Sequence, residues 1–251
     1  MSWERLDDEP EPAWREAAPD IHAPIDPTAP VSGHQPPAEA PRSHSEAPEH
    51  QWEAAADRIF AALRPAGTHG ASLEDLDGER LAHEGMKKHA LPLVDPGPAD
   101  LSVVYVLREE SFDVVINADH LLTWGIDAQT LRDRAAANLR EWSATAPWTD
   151  ELAGDRHLVS SDTGSGGDAA RILLPEARAH LAGRCGGPSR VLVALPDRDL
   201  LMAASLPPTD DAFLAQFEAF VADLIEGAHE PIEGGLFELV GDEHELVRFV
   251  R

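Results

Sequence analysis

Two pairs of short apolar runs, each pair broken by a polar turn and followed by an amphipathic stretch, constrain the fold of this chain more than any other feature. Leu101, Val103, Val104, Tyr105, Val106 and Leu107 form one run, residues 108–111 are polar, and residues 112–116 form a second run. Residues 190–195 and 200–205 flank the turn at 196–199 in the same way. Apolar, β-branched runs of this length bounded by turn residues read as hairpins. Helical signals follow each pair. Asn117 or Asp119 can cap a short helix through Trp124 that Gly125 ends, and Asp127 caps a longer one with Leu131, Ala135, Asn138, Leu139 and Trp142 on one side. Asp210 caps a helix carrying Phe213, Leu214, Phe217, Phe220, Val221 and Leu224.

Between the two units, residues 156–160 form a weaker strand that leads through a Gly-rich turn to a helix over about 168–181. Residues 236–240 and 245–250 close the chain as a hairpin around Gly241 and Asp242. Paired strands separated by helices, rather than strictly alternating strands and helices, define an α+β fold: a mixed or antiparallel sheet built from hairpins, with helices packed on it. The two hairpin-then-helix units, at 101–142 and 190–224, echo one another, although no fixed residue period makes them a repeat.

Order is expected to begin near Trp52. Trp52, Ala55, Ala56, Ile59, Phe60 and Leu63 recur at spacings of three and four, which predicts an amphipathic helix that Pro65 and Gly67 stop. From 73 to 93 the apolar residues are too sparse to assign. Residues 1–50 hold ten of the 21 prolines, with eleven Asp or Glu against three Arg, and no hydrophobic period persists. Such a segment cannot bury enough apolar area to offset its ordering entropy, so a disordered acidic tail is expected there, with Trp3, Leu6 and Trp14 as small apolar islands. The expected organisation is a tail over 1–50 and a single α+β domain over 51–251.

The 46 acidic residues outnumber 20 basic ones, for a formal net charge of −26, which repels phosphate backbones and anionic lipid head groups. Nucleic acid and membrane are therefore not expected as partners; the acidic excess reads first as a solvated surface, and the expected partner is another protein, with a basic one as the sharper reading. One cysteine, Cys185, cannot form an internal disulfide, and no apolar stretch approaches the length of a membrane span or a secretory leader. The expected location is the cytoplasm.

Several segments resemble landmarks of the YtpQ-like family, a bacterial domain of unknown function. They are the run from Asp100 to Leu107, the segment from Trp124 through Ala137, Asn138 and Leu139, and the stretch from Val193 to Leu200. Residues 90–94 and Ala228-His229 before Pro231-Ile232 look similar too. The resemblance covers roughly 91–232. It implies that these segments form one folded unit and supplies no catalytic residue or cofactor.

Several short motifs match functional signatures only in part. Asp162-Thr163-Gly164-Ser165 matches one half of an aspartic-protease pair, but that chemistry needs two carboxylates sharing a proton and no second such tetrad exists. Gly164, Gly166 and Ala169 satisfy G-x-G-x-x-A, with Asp197 in the place of the ribose acid, yet the spacing and the hairpin that follows do not suit a dinucleotide fold. The twelve histidines, including His83 and His89 at a spacing of six, provide no i, i+4 pair for a metal on one helix face. Cys185 near a helix C-terminus is a poor nucleophile, because the helix dipole disfavours a thiolate there.

The turn Asp197-Arg198-Asp199 is the most distinctive polar feature, with two carboxylates and a guanidinium at the edge of a sheet. Asp197, Arg198 and Asp199 are the candidate binding residues, with an internal salt bridge from Arg198 as the competing structural role. The expected function is a non-catalytic or regulatory protein-binding module without cofactor or metal. The alternative is an enzyme of unrecognised type built around the same three residues.

Overall fold

In the computed structural model the described residues are 51–73, 76, 90–109, 112–153, 156–187 and 189–250. The expected tail, with Trp3, Leu6, Trp14 and most of the linker histidines, lies outside them, as does most of 73–90.

Two sheets carry the architecture. In the first, β1 (Ile59–Arg64), β4 (Ser102–Arg108), β3 (Leu93–Pro96) and β2 (Ala71–Ser72) lie side by side in that order, and β5 (Asp113–Val115) pairs with β4. Only β2 and β3 are parallel, so this sheet is mixed. The second sheet is antiparallel throughout, in the order β11 (Glu245–Arg248), β10 (Phe237–Val240), β8 (Arg190–Asp197), β9 (Leu200–Leu206), β7 (Arg156–Ser161), β6 (Thr149–Ala153). The fold is thus α+β, with two sheets where one was expected. The two echoing hairpin-then-helix units fall in different sheets. All three expected hairpins form: β4 with β5, β8 with β9, and β10 with β11.

The centre of the second sheet is buried on both faces. Val191, Val193, Leu195, Leu201 and Ala203 face the main core together with Leu181 and Cys185 of α4 (Pro175–Cys185). Leu192, Ala194, Met202, Ala204 and Leu206 face the opposite way, against Leu214, Phe217 and Val221 of α5 (Asp211–Glu226). Burial on both faces explains why β8 reads as a continuous apolar run rather than an alternating one. On the first sheet, α3 (Ala128–Thr145) packs against β1 and places Leu131 and Ala135 in the core with Ile59, Tyr105 and Leu107.

Helix starts follow their caps. The side chains of Asp127 and Asp210 accept from the amides of Thr130 at 2.8 Å and Phe213 at 3.0 Å. Asn117 and His120 form a reciprocal cap on α2 (Ala118–Trp124), which ends at Gly125 in the left-handed conformation that glycine adopts without strain. An ion pair between the buried Asp95 and the half-buried Arg132 ties the first sheet to α3: both Asp95 oxygens accept from the Arg132 guanidinium at 2.7 Å, and Tyr105 donates its hydroxyl to Asp95 at 2.5 Å. Burial and the Asp95 carboxylate hold the Tyr105 phenol well above its ordinary pKa.

Two sequence expectations are corrected. The helix expected over Trp52–Leu63 stops early: α1 is Trp52–Ala55, a 3-10 turn covers Ala56–Arg58, and Ile59–Arg64 is strand β1. Ile59, Ala61, Ala62 and Leu63 are all buried, so β1 shows none of the alternation that would have marked it as a strand. The helix expected over 168–181 is a 3-10 turn at Ala169–Leu173 followed by α4. Pro175 forces Leu174 into an extended conformation, which separates the two. Among the described residues no helix is long and apolar enough to cross a membrane.

Candidate functional site

Asp197, Arg198 and Asp199 do come together, at the β8–β9 turn beside a β-bulge between Ala194 and Asp197. Each is engaged within the fold. One Asp197 oxygen accepts from the Asp199 amide at 3.1 Å, and the other accepts from the amides of His229 at 2.9 Å and Glu230 at 3.1 Å. Asp197 therefore anchors the segment that leads into Pro231, with which it also forms a β-bridge. The Arg198 guanidinium reaches Asp113 on β5 at 3.0 Å and Glu230 at 3.1 Å, joining the turn of one sheet to a strand of the other. Asp199 accepts from the amide of Gly166. Burial pushes the Asp199 carboxyl above its ordinary pKa, against the pull of that amide and of Arg198.

The Gly-rich loop belongs to the same cluster. Gly166 has φ +77°, and a side chain there would meet the Arg198 guanidinium at 3.2 Å. Asp162 is exposed, whereas Asp168 at the other end of the loop is fully buried and accepts from Ser161 at 2.5 Å and Thr163 at 2.7 Å. The nucleotide-loop geometry is not present: β7 pairs antiparallel with both neighbours, a 3-10 turn follows the loop, and Asp197 has both oxygens on backbone amides.

Sequence reasoning missed two arginines here. Arg171 is buried and donates from all three guanidinium nitrogens. Arg108 lies over the Phe60 ring at 3.8 Å, with its Nε and one Nη buried and without a hydrogen-bond partner among the described residues. Burial lowers the Arg108 pKa. Cys185 is buried too, and burial pushes its thiol up to about 11. No group of three or more His, Cys, Asp or Glu side chains able to hold a metal occurs among the described residues.

A second feature is open rather than engaged. Strand β6 ends the second sheet, and α5 crosses the sheet face beside it, leaving a groove of about 290 Å³. Leu158 of β7 lies in the groove, Phe213, Gln216, Phe217 and Phe220 of α5 form one wall, and Glu151, Arg156 and His157 form the other. Phe213 and Phe217 stack with ring centroids 6.0 Å apart. Phe220 is 46% exposed, and Leu152 on the adjoining strand is 73% exposed. Two of the polar wall residues are already paired: Arg156 with Asp210 at 2.6 Å, and His157 with Asp150. Glu151 is exposed and makes no ion pair among the described residues. The α5 aromatics were legible as a helix face. Strand β6 was not, because its sequence of Thr149, Asp150, Glu151, Leu152 and Ala153 has two carboxylates and no alternating apolar pattern.

No protein-family model matches this chain, and comparison with curated proteins and with solved structures finds no significant similarity.

Proposed function

We propose that this chain is a YtpQ-like, cytoplasmic α+β domain that works as a non-catalytic, regulatory protein-binding module, with the groove between α5 and β6 as its binding surface. One observation carries the reading: a strand edge with no backbone partner among the described residues lies beside the exposed Phe220 and the half-buried Phe213. A strand edge offers unpaired backbone donors and acceptors to another chain, and apolar side chains left exposed next to it supply burial energy on contact. Phe220 is the exposed aromatic on the α5 side of that edge, and Leu152 is exposed on the edge strand itself, on the opposite face of the sheet. The acidic charge supports a protein, and a basic one, over nucleic acid or membrane.

The competing reading, an enzyme built on Asp197, Arg198 and Asp199, draws support from the raised pKa of Asp199. Against it, Asp197 and Arg198 have their charged atoms committed to the fold. Affinity capture separates the two. The wild-type chain, the double variant Phe220→Asp with Leu152→Asp, and Arg198→Ala are compared as bait, each first checked for an unchanged circular dichroism spectrum. Loss of the same discrete partners from the double variant alone supports the groove. An identical partner set from the wild type and the double variant removes the groove from consideration.

A further inference from the structure

We infer that protonated His157 latches the edge strand β6 onto the end of α4, so that loss of this proton loosens the strand that walls the groove. The consequence for the groove rests on the protein-binding reading; the latch itself does not.

β6 has little else to hold it. Thr149, Asp150, Glu151 and Leu152 are all exposed, and beyond its ladder with β7 the strand makes no backbone hydrogen bond among the described residues. The one β6 side chain with an ion pair or hydrogen bond among the described residues is Asp150, which is tucked in to 23% exposure. Asp150 pairs in register with the core residue Val159, so it falls on the face that α4 covers, whereas Glu151 falls on the α5 face with Leu158.

His157 sits on the Asp150 face, opposite Leu152 in register. Its Nδ1 meets the Arg184 carbonyl at 2.5 Å, and its buried Nε2 is in ion-pair contact with the Asp150 carboxylate. A carbonyl and a carboxylate can only accept. Nδ1 must therefore carry a hydrogen, and a neutral ring would then turn a bare Nε2 lone pair toward an Asp150 oxygen. Only the imidazolium presents a proton to both. The Arg184 carbonyl lies in the last turn of α4, where the helix dipole attracts a cation. Arg184 also places its guanidinium on the other Asp150 oxygen, so one carboxylate joins β6, β7 and α4.

The remaining groups around the ring leave this arrangement intact. On β7, Arg156 is held by Asp210, and on α4 the Cys185 thiol is turned to the carbonyls of Ala203 at 3.7 Å and His157 at 4.0 Å. β9 presents the Ser205 hydroxyl, which accepts from the His157 amide at 2.7 Å, and the α5 residues of the groove are uncharged. Arg156 and Arg184 are like charges to the ring, and each has its own carboxylate partner. When the ring loses its proton, Asp150 keeps Arg184 alone, and the groove loses a fixed wall.

The test follows the ¹⁵N-labelled full chain from about pH 5 to 8, the range in which histidine changes charge. Ring nitrogen shifts report the protonation of His157, and amide protection factors, corrected for intrinsic exchange, report the hold on β6. The expected result is a ring protonated on both nitrogens where β6 is protected. β6 protection should then fall about tenfold, the loss of one charge-assisted contact, with the same midpoint as the His157 titration, while β8 and β9 stay level. His157→Gln and Asp150→Asn should each leave β6 protection flat across the range. A neutral ring at a pH where β6 is fully protected overturns the latch. So does β6 protection that ignores the His157 titration, or that changes with pH in the variants as it does in the wild type. If His157→Gln does not fold, the wild type and Asp150→Asn decide between the same outcomes. If the latch is found and partner capture is unchanged in the Phe220→Asp and Leu152→Asp double variant, the latch stands and only its consequence for the groove falls.

Discussion

Replacing Arg171 with Met should remove about 3–5 kcal/mol of stability, the usual cost of breaking a buried charged network by deleting one member. The side chain is 1% exposed. Its Nε donates to the Ser143 hydroxyl at 3.0 Å, one Nη to the Pro147 carbonyl at 3.1 Å and the Ser161 hydroxyl at 2.7 Å, and the other Nη to the carbonyls of Ser143 at 3.1 Å and Ala146 at 3.3 Å. The guanidinium also lies over the Trp148 ring at 3.6 Å. Ser161 passes the network on to Asp168. Methionine roughly conserves volume but leaves three carbonyls without their donor, each worth about 1–3 kcal/mol when stranded. Relief of burying a charge offsets part of this; that burial brings the Arg171 pKa down to about 10. For a domain of this size the net loss corresponds to a fall in Tm of roughly 10 °C. Lysine should recover less than half, because it lacks the planar fork. Thermal unfolding followed by circular dichroism reads the effect. A Met variant melting within about 2 °C of the wild type would refute the claim that this network pins α3, β7 and the 169–173 turn together.

Further outcomes follow from the same contacts. Cys185, buried and with its thiol pushed up to about 11, should react with iodoacetamide at pH 8 at least about 100-fold more slowly in the folded chain than in denaturant; labelling at the unfolded rate would contradict its placement. Burial raises the Asp199 carboxyl, so the proton-bound form favours folding, and this stabilisation is lost as pH rises from the unfolded value through the folded one. Asp199→Asn, which keeps an acceptor for the Gly166 amide, should therefore match or exceed the wild-type Tm at pH 7, with the difference shrinking below the carboxylate range; a clearly lower Tm at pH 7 would contradict this. Arg198→Ala should cost about 1–3 kcal/mol by freeing Asp113 and Glu230, whose partner it is; an unchanged urea midpoint would show that the bridge between the sheets contributes nothing.

The sequence carried most of the second sheet and little of its surroundings. β8, β9, β10 and β11 were legible because apolar residues cluster between turn formers, and α3 and α5 because Asp127 and Asp210 announce their first turns. β1 was read as a helix for a physical reason: a strand buried on both faces has no period of two, and Ala55, Ile59 and Leu63 happen to sit four apart. Asp197, Arg198 and Asp199 could be picked out as a cluster, but their partners Asp113, Gly166 and Glu230 are remote in sequence, so only the fold says what holds them. The groove was hidden for the same reason. Its helix wall was visible, while β6 becomes a strand only because β7 offers it an edge. Arg171 and Asp168 looked like ordinary polar positions of a surface helix, and it is the Ser161 hydroxyl between them that makes their burial tolerable.

The central claim, that the groove between α5 and β6 is where this protein meets its partner, is tested most directly by site-specific photo-cross-linking in cells. A benzophenone residue is placed in turn at Leu152, at Phe220, and at two exposed apolar positions elsewhere, Leu122 at 47% exposure and Val250 at 76%. Discrete cross-linked species from positions 152 and 220, absent from 122 and 250, are the expected result. Cross-links from 122 or 250 with none from 152 and 220 would contradict it.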